Sequence, residues 1–294
     1  MSRVTFRNAR GLRLVADLRP AGDLRPASDL RPTSDLRPTS DLRPTGDLRP
    51  TGDPAIVVMA HGFASDRRSR GRFPRIAAAL AGAGYASLAF DFAGCGESDD
   101  DVLTLEHQID DLHAAIAYTH ALGYERLALH GHSLGGRVCL AAAPPQAATI
   151  ATTGAPTGPM RYDWHDFFTA EQGAELHRTG RVTMPQDEDR ARSTVVASAT
   201  LLEALVDGDH PALFDGVRCP VLLIDGDGDD EERQALTQAR QGLPLLPSGS
   251  RVALLPGSPH NLEGHLDEVI GLLLGWFAEH LAPARRKPPS ERRP

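Results

Sequence analysis

The segment RLALHGHSLGG, residues 126–136, decides the fold of this chain of 294 residues. Its first half, RLALH, is a short apolar run of the kind that forms a buried strand. Its second half, GHSLGG, fits the pattern G-x-S-x-G and opens into a helical pattern after Ser133. A serine on such a sharp, strained turn needs neighbours without a Cβ, which the glycines supply. We therefore predict that Ser133 lies exposed between a strand and a helix, as a candidate nucleophile.

Strand and helix patterns alternate on both sides of this segment. Apolar side chains recur at helical spacing within residues 73–80, 105–116 and 266–277. Short apolar runs predict strands at residues 56–60, 86–90, 220–224 and 251–255. Because strands interleaved with helices form mostly parallel sheets, we predict the α/β class, with a central sheet covered by helices on both faces.

The regular alternation fails between about residues 153 and 214. This stretch contains helical patterns and lies between two strands of the predicted sheet. We expect it to form a helical cap over the carboxyl-terminal edge of the sheet, inside a main domain of residues 54–282.

The N-terminal part of the chain contains a short tandem repeat. The tetrapeptide DLRP begins at residues 17, 23, 29, 35, 41 and 47, a period of six. Each copy offers one leucine and its proline removes a backbone donor, so the copies do not build a continuous buried face. We expect residues 1–53 to form strands joined by an expanded hairpin loop, since loops tolerate extra length at small entropic cost. Residues 283–294 are basic and rich in proline, which predicts a disordered tail.

The loop HGF, residues 61–63, follows the first buried strand pattern of the main domain. In a fold with a serine elbow, one backbone donor for the developing negative charge comes from this loop and another from the residue after the serine. We therefore expect the N–H groups of Phe63 and Leu134 to form an oxyanion hole.

The candidate acid lies in the segment PVLLIDGDGDD, residues 220–230, which offers Asp225, Asp227, Asp229 and Asp230. A calcium-binding loop is excluded, because its sixth position lacks glycine and its twelfth lacks glutamate. We choose Asp229 to orient the catalytic histidine, with Asp227 as the second candidate.

The candidate base is His260, which lies in a Gly/Pro-rich loop just after the last strand pattern. The alternative, His265, falls at the start of the final predicted helix. With His260 the chain order is serine, acid, histidine, which is the order of the fold that G-x-S-x-G marks.

Residues 61–98, HGFASDRRSRGRFPRIAAALAGAGYASLAFDFAGCGES, together with GHSLGG, resemble the α/β-hydrolase superfamily. The likeness covers about residues 54–281. Within the superfamily, the sequence is similar to small acyl esterases, such as feruloyl and cinnamoyl esterases, and to serine aminopeptidase-like hydrolases. Two departures lie in the acid loop. Asp225-Gly226 stands where the family often has His-Gly, and Glu231-Glu232-Arg233 replaces an apolar-Pro step.

The resemblance implies a serine hydrolase that cleaves esters of small or medium acyl groups through an acyl-enzyme on Ser133. Two alternatives stay open: a peptidase or amidase on the same residues, with Glu171, Glu175 or Asp187 binding the substrate amine, and a non-catalytic binding protein. Four aromatic residues, Tyr162, Trp164, Phe167 and Phe168, either line an acyl pocket or form the core of the cap. Arginines at positions 67, 68, 70, 72 and 75 either meet an anionic substrate or form a solvated helix face.

Composition excludes several other classes. A formal net charge of -8 without a basic stripe argues against nucleic-acid binding. No apolar run reaches the roughly 18 residues of a membrane span, and the N-terminus lacks a signal-peptide pattern. Three scattered cysteines suggest neither disulfides nor a zinc site, and nothing calls for a metal or an organic cofactor. We expect a cytoplasmic protein acting on a small molecule; the sequence leaves its oligomeric state open.

Overall fold

The computed structural model describes residues 1–23, 54–162, 164–188 and 190–281. The second copy of the repeat after its first residue, all later copies, and the tail of residues 283–294 lie outside this part of the chain. The expected long loop and disordered tail therefore stay predictions. The first copy of the repeat begins inside a strand, with Asp17, Leu18 and Arg19 all buried.

The described chain alternates between strands and helices. The strands are β1 (Ser2–Arg7), β2 (Arg13–Arg19), β3 (Ala55–Ala60), β4 (Ala86–Phe90), β5 (Val102–Leu103), β6 (Arg126–His132), β7 (Ala147–Thr153), β8 (Arg181–Pro185), β9 (Thr194–Ser198), β10 (Val221–Gly226) and β11 (Arg251–Leu255). The helices are α1 (Arg72–Gly82), α2 (Leu105–Ala121), α3 (Leu134–Ala142), α4 (Trp164–Phe167), α5 (Ala170–Thr179), α6 (Ala199–Val206), α7 (His210–Phe214), α8 (Asp230–Gly242) and α9 (Leu266–His280).

Eight of these strands form the central sheet, in the order β1-β2-β4-β3-β6-β7-β10-β11. The pairs β1–β2 and β2–β4 are antiparallel, and the pairs from β4 to β11 are parallel. The predicted α/β class with a mostly parallel sheet is confirmed. Because the parallel strands share one direction, the loops after β3, β6, β10 and β11 all emerge at the same edge of the sheet.

Strand β3 shows how helices cover both faces. Its alternate side chains Ile56 and Val58 belong to one buried cluster, which includes apolar residues of α2 and α3. Val57 and Met59 point the other way, into a second cluster that α1 and α9 complete. A strand buried on both faces is apolar throughout, and this explains the unbroken run AIVVMA.

The repeat does not join two neighbouring strands, which corrects the expected hairpin. Arg19 of β2 and Val57 of β3 both pair with Ser87 of β4, so β4 lies between the two strands. The hairpin of this region is β1–β2 instead, with its turn after Arg7. Local sequence predicts that strands exist, whereas their order depends on contacts between distant segments.

The cap contains the expected helices and, in addition, strands that the sequence analysis did not predict. Strands β8 and β9 pair antiparallel, and β9 also pairs in parallel with the short β5. Helices α4 and α5 precede β8 in the chain, and α6 and α7 follow β9. The run TVVAS in β9 starts with three β-branched residues, which favour strands. No helix in the described part of the chain is long and apolar enough to cross a membrane.

Candidate active site

Ser133 lies on the bend between β6 and α3. Its backbone has φ 54° and ψ -127°, a conformation that glycine adopts freely and serine rarely. The bend is closely packed: a Cβ on Gly131 would lie 2.4 Å from the carbonyl oxygen of Gly135, and one on Gly135 would lie 2.1 Å from that of Ala60. The N–H of Ser133 donates to the carbonyl of Thr153 on β7 at 2.8 Å, which fixes the bend against the sheet.

His260 reaches this serine from the loop after β11. Its Nε2 lies 3.0 Å from the Ser133 Oγ, although 127 residues separate the two in sequence. The distance is that of a hydrogen bond. The imidazole side chain is mostly buried, with 22% of its surface exposed. The structure thus brings the predicted serine and histidine into direct contact.

The other ring nitrogen of His260 contacts Glu232. The distance from Nδ1 to the Glu232 Oε1 is 2.7 Å, and the glutamate side chain has no solvent exposure. Its second oxygen accepts the N–H of Gly226 at the end of β10. A Cβ on Gly154 would lie 2.5 Å from Oε1 and 3.0 Å from Nδ1, so only glycine fits beside this contact.

Asp229 does not hold the imidazole, which corrects its predicted position. Its Oδ1 accepts the N–H of Glu232 and so caps the first turn of α8, while its Oδ2 accepts the backbone N–H of His260 at 2.7 Å. A carboxylate used as a helix cap faces the backbone and turns away from the histidine ring. The spacing Asp229-x-x-Glu232 is that of a capping box, and this sequence signal could have marked Asp229 as the cap.

The other three aspartates of this loop also have separate roles. Asp227 accepts the N–H of Gly257 at 2.6 Å, and Asp230 pairs with Arg233 at the surface. Asp225 is buried in β10, and burial together with the neighbouring Glu232 raises its pKa well above the usual range. None of the three touches His260 among the described contacts.

The two predicted oxyanion donors belong to segments that meet at Ser133, the first turn of α3 and the loop after β3. Leu134 is the first residue of α3, so its N–H has no partner within the helix. The loop before Phe63 passes close to Ser133: a Cβ on Gly62 would lie 3.2 Å from the Ser133 Cβ. The helix N-terminus adds a partial positive charge at the same place.

His61 supports the loop that carries Phe63. The ring is fully buried; its Nδ1 lies 2.8 Å from the carbonyl of Gly62, and its Nε2 accepts the N–H of Phe92 at 3.3 Å. Since Nε2 accepts, the proton is on Nδ1 and is donated to the Gly62 carbonyl. Burial lowers the pKa of His61, which keeps this ring neutral.

His130 and His132 flank the serine, and both bond locally. The Nδ1 of His130 lies 3.3 Å from the Ala151 carbonyl, and that of His132 lies 3.1 Å from the Thr153 hydroxyl. Burial lowers the pKa of His130 to about 4 and that of His132 well below 6.5. Neutral rings at these positions leave His260 as the imidazole that contacts Ser133.

Opposing effects act on the pKa of His260. Burial lowers it, but the hydrogen bond with Glu232 and the charges of Glu231, Glu232 and Asp229 outweigh burial, so the pKa lies above 6.5. Three carboxylates around one imidazole stabilise its protonated form. The site is therefore suited to hold a proton taken from Ser133.

The cap reaches the site through Tyr162. Its hydroxyl donates to the Glu231 Oε1 at 2.9 Å, and the same oxygen lies 3.7 Å from the His260 Nε2. Sequence analysis did not select Glu231. The ring of Tyr162 stacks on Trp164, which in turn stacks on Phe168. The cap aromatics thus form a cluster of their own, with one member in contact with the site.

Arg67 is a structural residue and not part of a solvated helix face. Its guanidinium is 4% exposed and pairs with Asp91 at 2.5 Å and with Asp17 of β2 at 3.1 Å. Burial lowers its pKa, but the adjacent carboxylates outweigh this and raise the pKa overall. The other arginines include Arg75, which pairs with Asp267. Among the described residues, no group of three His, Cys, Asp or Glu side chains is arranged to hold a metal ion.

Comparison with solved structures reveals the same fold. GrgF, an alpha/beta hydrolase from Penicillium sp. sh18, is 18% identical, with a TM-score of 0.66 over 96% of this chain and 99% of that one. Est1E from Butyrivibrio proteoclasticus, with ferulic acid bound, is 17% identical, with a TM-score of 0.64 over 95% and 99%. A soluble variant of monoglyceride lipase from Saccharomyces cerevisiae, in complex with a substrate analog, is 15% identical, with a TM-score of 0.63 over 95% and 94%.

At these identities the likeness shows the fold alone. No curated protein matches the chain. The model of one family, however, matches residues 57–271, which include Ser133, Glu232 and His260. The chain therefore belongs to the alpha/beta hydrolase family.

Proposed function

We propose that the chain is a serine hydrolase that cleaves carboxylic esters of small or medium acyl groups. The observation that carries the proposal is the contact series Ser133 Oγ, His260 Nε2, His260 Nδ1 and Glu232 Oε1, with distances of 3.0 Å and 2.7 Å. A hydroxyl, an imidazole and a buried carboxylate in this order are the parts that activate a serine.

In the first step Ser133 Oγ attacks the ester carbonyl, and His260 Nε2 takes the hydroxyl proton. The N–H groups of Phe63 and Leu134 stabilise the oxyanion, and the loss of one such donor typically costs about 3 kcal/mol of transition-state stabilisation. Glu232 keeps the imidazole in the tautomer with Nε2 free to accept, and it stabilises the imidazolium. The bond to the alcohol then breaks, and Nε2 gives its proton to the leaving oxygen.

In the second step water takes the place of the alcohol. His260 Nε2 accepts a proton from the water while the oxygen of the water attacks the acyl-enzyme carbonyl. The ester bond to Ser133 breaks, Nε2 returns the proton to Oγ, and the acid leaves. Both steps use the same oxyanion donors.

Labelling with a neutral fluorophosphonate tests this proposal directly. The wild-type chain should become labelled on Ser133, and Ser133→Ala should stay unlabelled and lose at least about 10³-fold in kcat on p-nitrophenyl butyrate. His260→Ala should lose a similar factor. His265→Ala is the matched control, because His265 contacts only Glu268 among the described side chains and should keep activity within about twofold. Label on another residue, or an active Ser133→Ala, would overturn the proposal.

The amidase alternative, as the sequence poses it, has Glu171, Glu175 or Asp187 bind the substrate amine. Glu175 is engaged within the cap, where it accepts bonds from the N–H and the hydroxyl of Thr183. The esterase is the main proposal, and parallel assays with aminoacyl amides and acyl esters decide between the two activities. A binding protein without catalysis would stay unlabelled by the fluorophosphonate.

A further inference from the structure

Glu231 is the charged side chain beside the reacting atoms that the proposed mechanism does not use. It is the second residue of α8, next to the buried Glu232, but its own side chain is 33% exposed. Its Oε1 lies 3.7 Å from the His260 Nε2, the nitrogen that also contacts Ser133. The carboxylate therefore borders the space in which a substrate would react.

The position of Nε2 identifies which part of the substrate Glu231 would meet. In ester cleavage the leaving oxygen takes its proton from Nε2 and must come within about 3 Å of it. The Glu231 Oε1 lies 3.7 Å from Nε2. A leaving oxygen within about 3 Å of Nε2 is therefore at most about 7 Å from this carboxylate oxygen. A polar group three bonds beyond the leaving oxygen, as in an amino alcohol, can thus reach the carboxylate.

The carboxylate is held in place and has acceptor capacity left. Tyr162 donates one hydrogen bond to Oε1 at 2.9 Å, which ties the side chain to the cap. Within the part of the chain that the structure describes, Oε2 accepts no hydrogen bond. An ionised carboxylate can accept about four hydrogen bonds, so acceptor positions remain that donors from a ligand can take over from solvent.

The charges around Glu231 favour one kind of ligand. Glu232 and Asp229 are the other carboxylates acting on His260. The ring of His132, 5.3 Å from that of His260 between centroids, is neutral because burial lowers its pKa. A positive group is attracted to this cluster of carboxylates and a negative group is repelled. Hydrogen bonds to a charged acceptor are also stronger than neutral ones.

We propose that Glu231 determines specificity for the leaving group: it binds a hydrogen-bond donor on the alcohol, prefers a protonated amine and rejects a carboxylate. The inference rests on the proposed esterase function, because it assigns the leaving group of that reaction. The preferred substrates are then esters of amino alcohols or of polyols, with the donor atom three bonds from the ester oxygen.

Three butyrate esters test this preference. The 2-(dimethylamino)ethyl ester carries a protonated amine, the 3-methylbutyl ester has nearly the same shape without charge, and the carboxymethyl ester carries a carboxylate. All three form the same butyryl-enzyme, so differences in kcat/KM report binding and acylation and not deacylation. The wild-type chain should prefer the cationic ester over its neutral analogue by about tenfold.

Glu231→Gln should abolish most of this preference and raise kcat/KM for the carboxymethyl ester relative to the neutral one. Asp230→Asn is the matched control, since it removes the same charge one residue away at a site that is 90% exposed and paired with Arg233. The control should shift the ratio by less than about twofold. Tyr162→Phe, which keeps the charge but loosens the carboxylate, should reduce the preference by about two- to threefold.

Protection from labelling gives a second measurement that does not depend on the acyl group. The alcohol 2-(dimethylamino)ethanol should slow fluorophosphonate labelling of Ser133 in the wild-type chain more than 3-methylbutanol does, and Glu231→Gln should remove the difference. An unchanged ester ratio in Glu231→Gln, an equal shift in Asp230→Asn, or an effect confined to cationic acyl groups would overturn the inference. Absence of labelling in the wild-type chain would instead defeat the proposed function.

Discussion

The carboxylate of Glu232 has no solvent exposure and contacts groups at the ends of two neighbouring strands. It accepts the N–H of Gly226 at the end of β10 and contacts the ring of His260 in the loop after β11. A buried charge is costly unless its hydrogen bonds are satisfied, and here both oxygens have a partner. The same environment makes its charge effective, because the low local dielectric strengthens the attraction to a protonated imidazole.

The two acids of the loop should respond differently to neutralisation. Glu232→Gln removes the charge that stabilises the imidazolium and should lower kcat on p-nitrophenyl butyrate by about 10³- to 10⁴-fold. Asp229→Asn weakens the cap of α8 and the bond to the His260 backbone, which should cost about 1–2 kcal/mol of stability and about tenfold or less in kcat. Steady-state kinetics and urea denaturation of both variants check this. A larger loss of kcat in Asp229→Asn would reverse the assignment.

The pH dependence of kcat/KM should reflect the pKa of His260. The base must be neutral to accept the serine proton, and the surrounding carboxylates raise its pKa above 6.5. The activity should therefore fall as the pH drops through a midpoint above 6.5. In Glu231→Gln one of the charges that raise this pKa is lost, so the midpoint should move to lower pH. A pH–rate profile of each protein from pH 5 to 9 measures the midpoints; a wild-type midpoint below 6.5 would contradict the expectation.

At the scale of elements, the contact between α3 and β3 places the nucleophile. The first turn of α3 packs directly on the end of β3, with Gly135 against the carbonyl oxygens of Ala60 and His61. Both neighbours are backbone atoms, which cannot rotate away as a side chain can. This contact sets the distance between Ser133 and the loop that carries Phe63.

Gly135→Ala should therefore disrupt the site through the backbone. The new Cβ would lie 2.1 Å from the Ala60 carbonyl oxygen, so the helix has to move, at a cost of more than about 3 kcal/mol and with loss of activity. Gly173→Ala is the control, because Gly173 lies within α5 and its Cβ would meet nothing within 4 Å. That substitution should stabilise the protein by about 0.5–1 kcal/mol. Thermal and urea denaturation measure both; equal stability of the two variants would refute the packing argument.

At the scale of the whole molecule, the connection between β2 and β3 spans a short distance. Arg19 and Val57 pair with the same residue of β4, so their strands are two spacings, or about 10 Å, apart. A few residues suffice for this distance. The first copy of the repeat, in contrast, contributes Asp17 to the buried pair with Arg67.

Deletion of residues 29–52, which removes four whole copies of the repeat, should leave the fold and the activity intact. The shorter connection still exceeds the distance between the strands, and its closure costs about 1 kcal/mol less entropy. The Tm should rise by about 1–3 °C. Calorimetry and the p-nitrophenyl butyrate assay check the deletion. A fall in Tm would instead show that the deleted copies make a stabilising contact. Arg67→Met, which breaks the buried pair between Arg67 and Asp17, should lower the Tm and serves as a positive control.

The sequence predicted those features whose signal is local. The fold class followed from alternating patterns, and the contact of Ser133 with His260 followed from an elbow motif and a loop after the last strand. Glu232 escaped notice because its role depends on how α8 begins: once Asp229 caps the helix, the residue three positions later faces the histidine. The order of β2, β4 and β3 escaped notice as well, since pairing between distant strands leaves no mark in either strand alone.

The positive φ of Ser133 has a consequence for protein engineering. Such a conformation costs a serine on the order of 1 kcal/mol or more, and a glycine at this position would adopt it without that cost. A directed-evolution screen that rewards heat resistance alone would therefore enrich variants that have lost the hydroxyl. Thermostable variants of this protein have to be selected for turnover at the same time, because the bend that makes the serine reactive is also a place where the chain can gain stability by becoming inert.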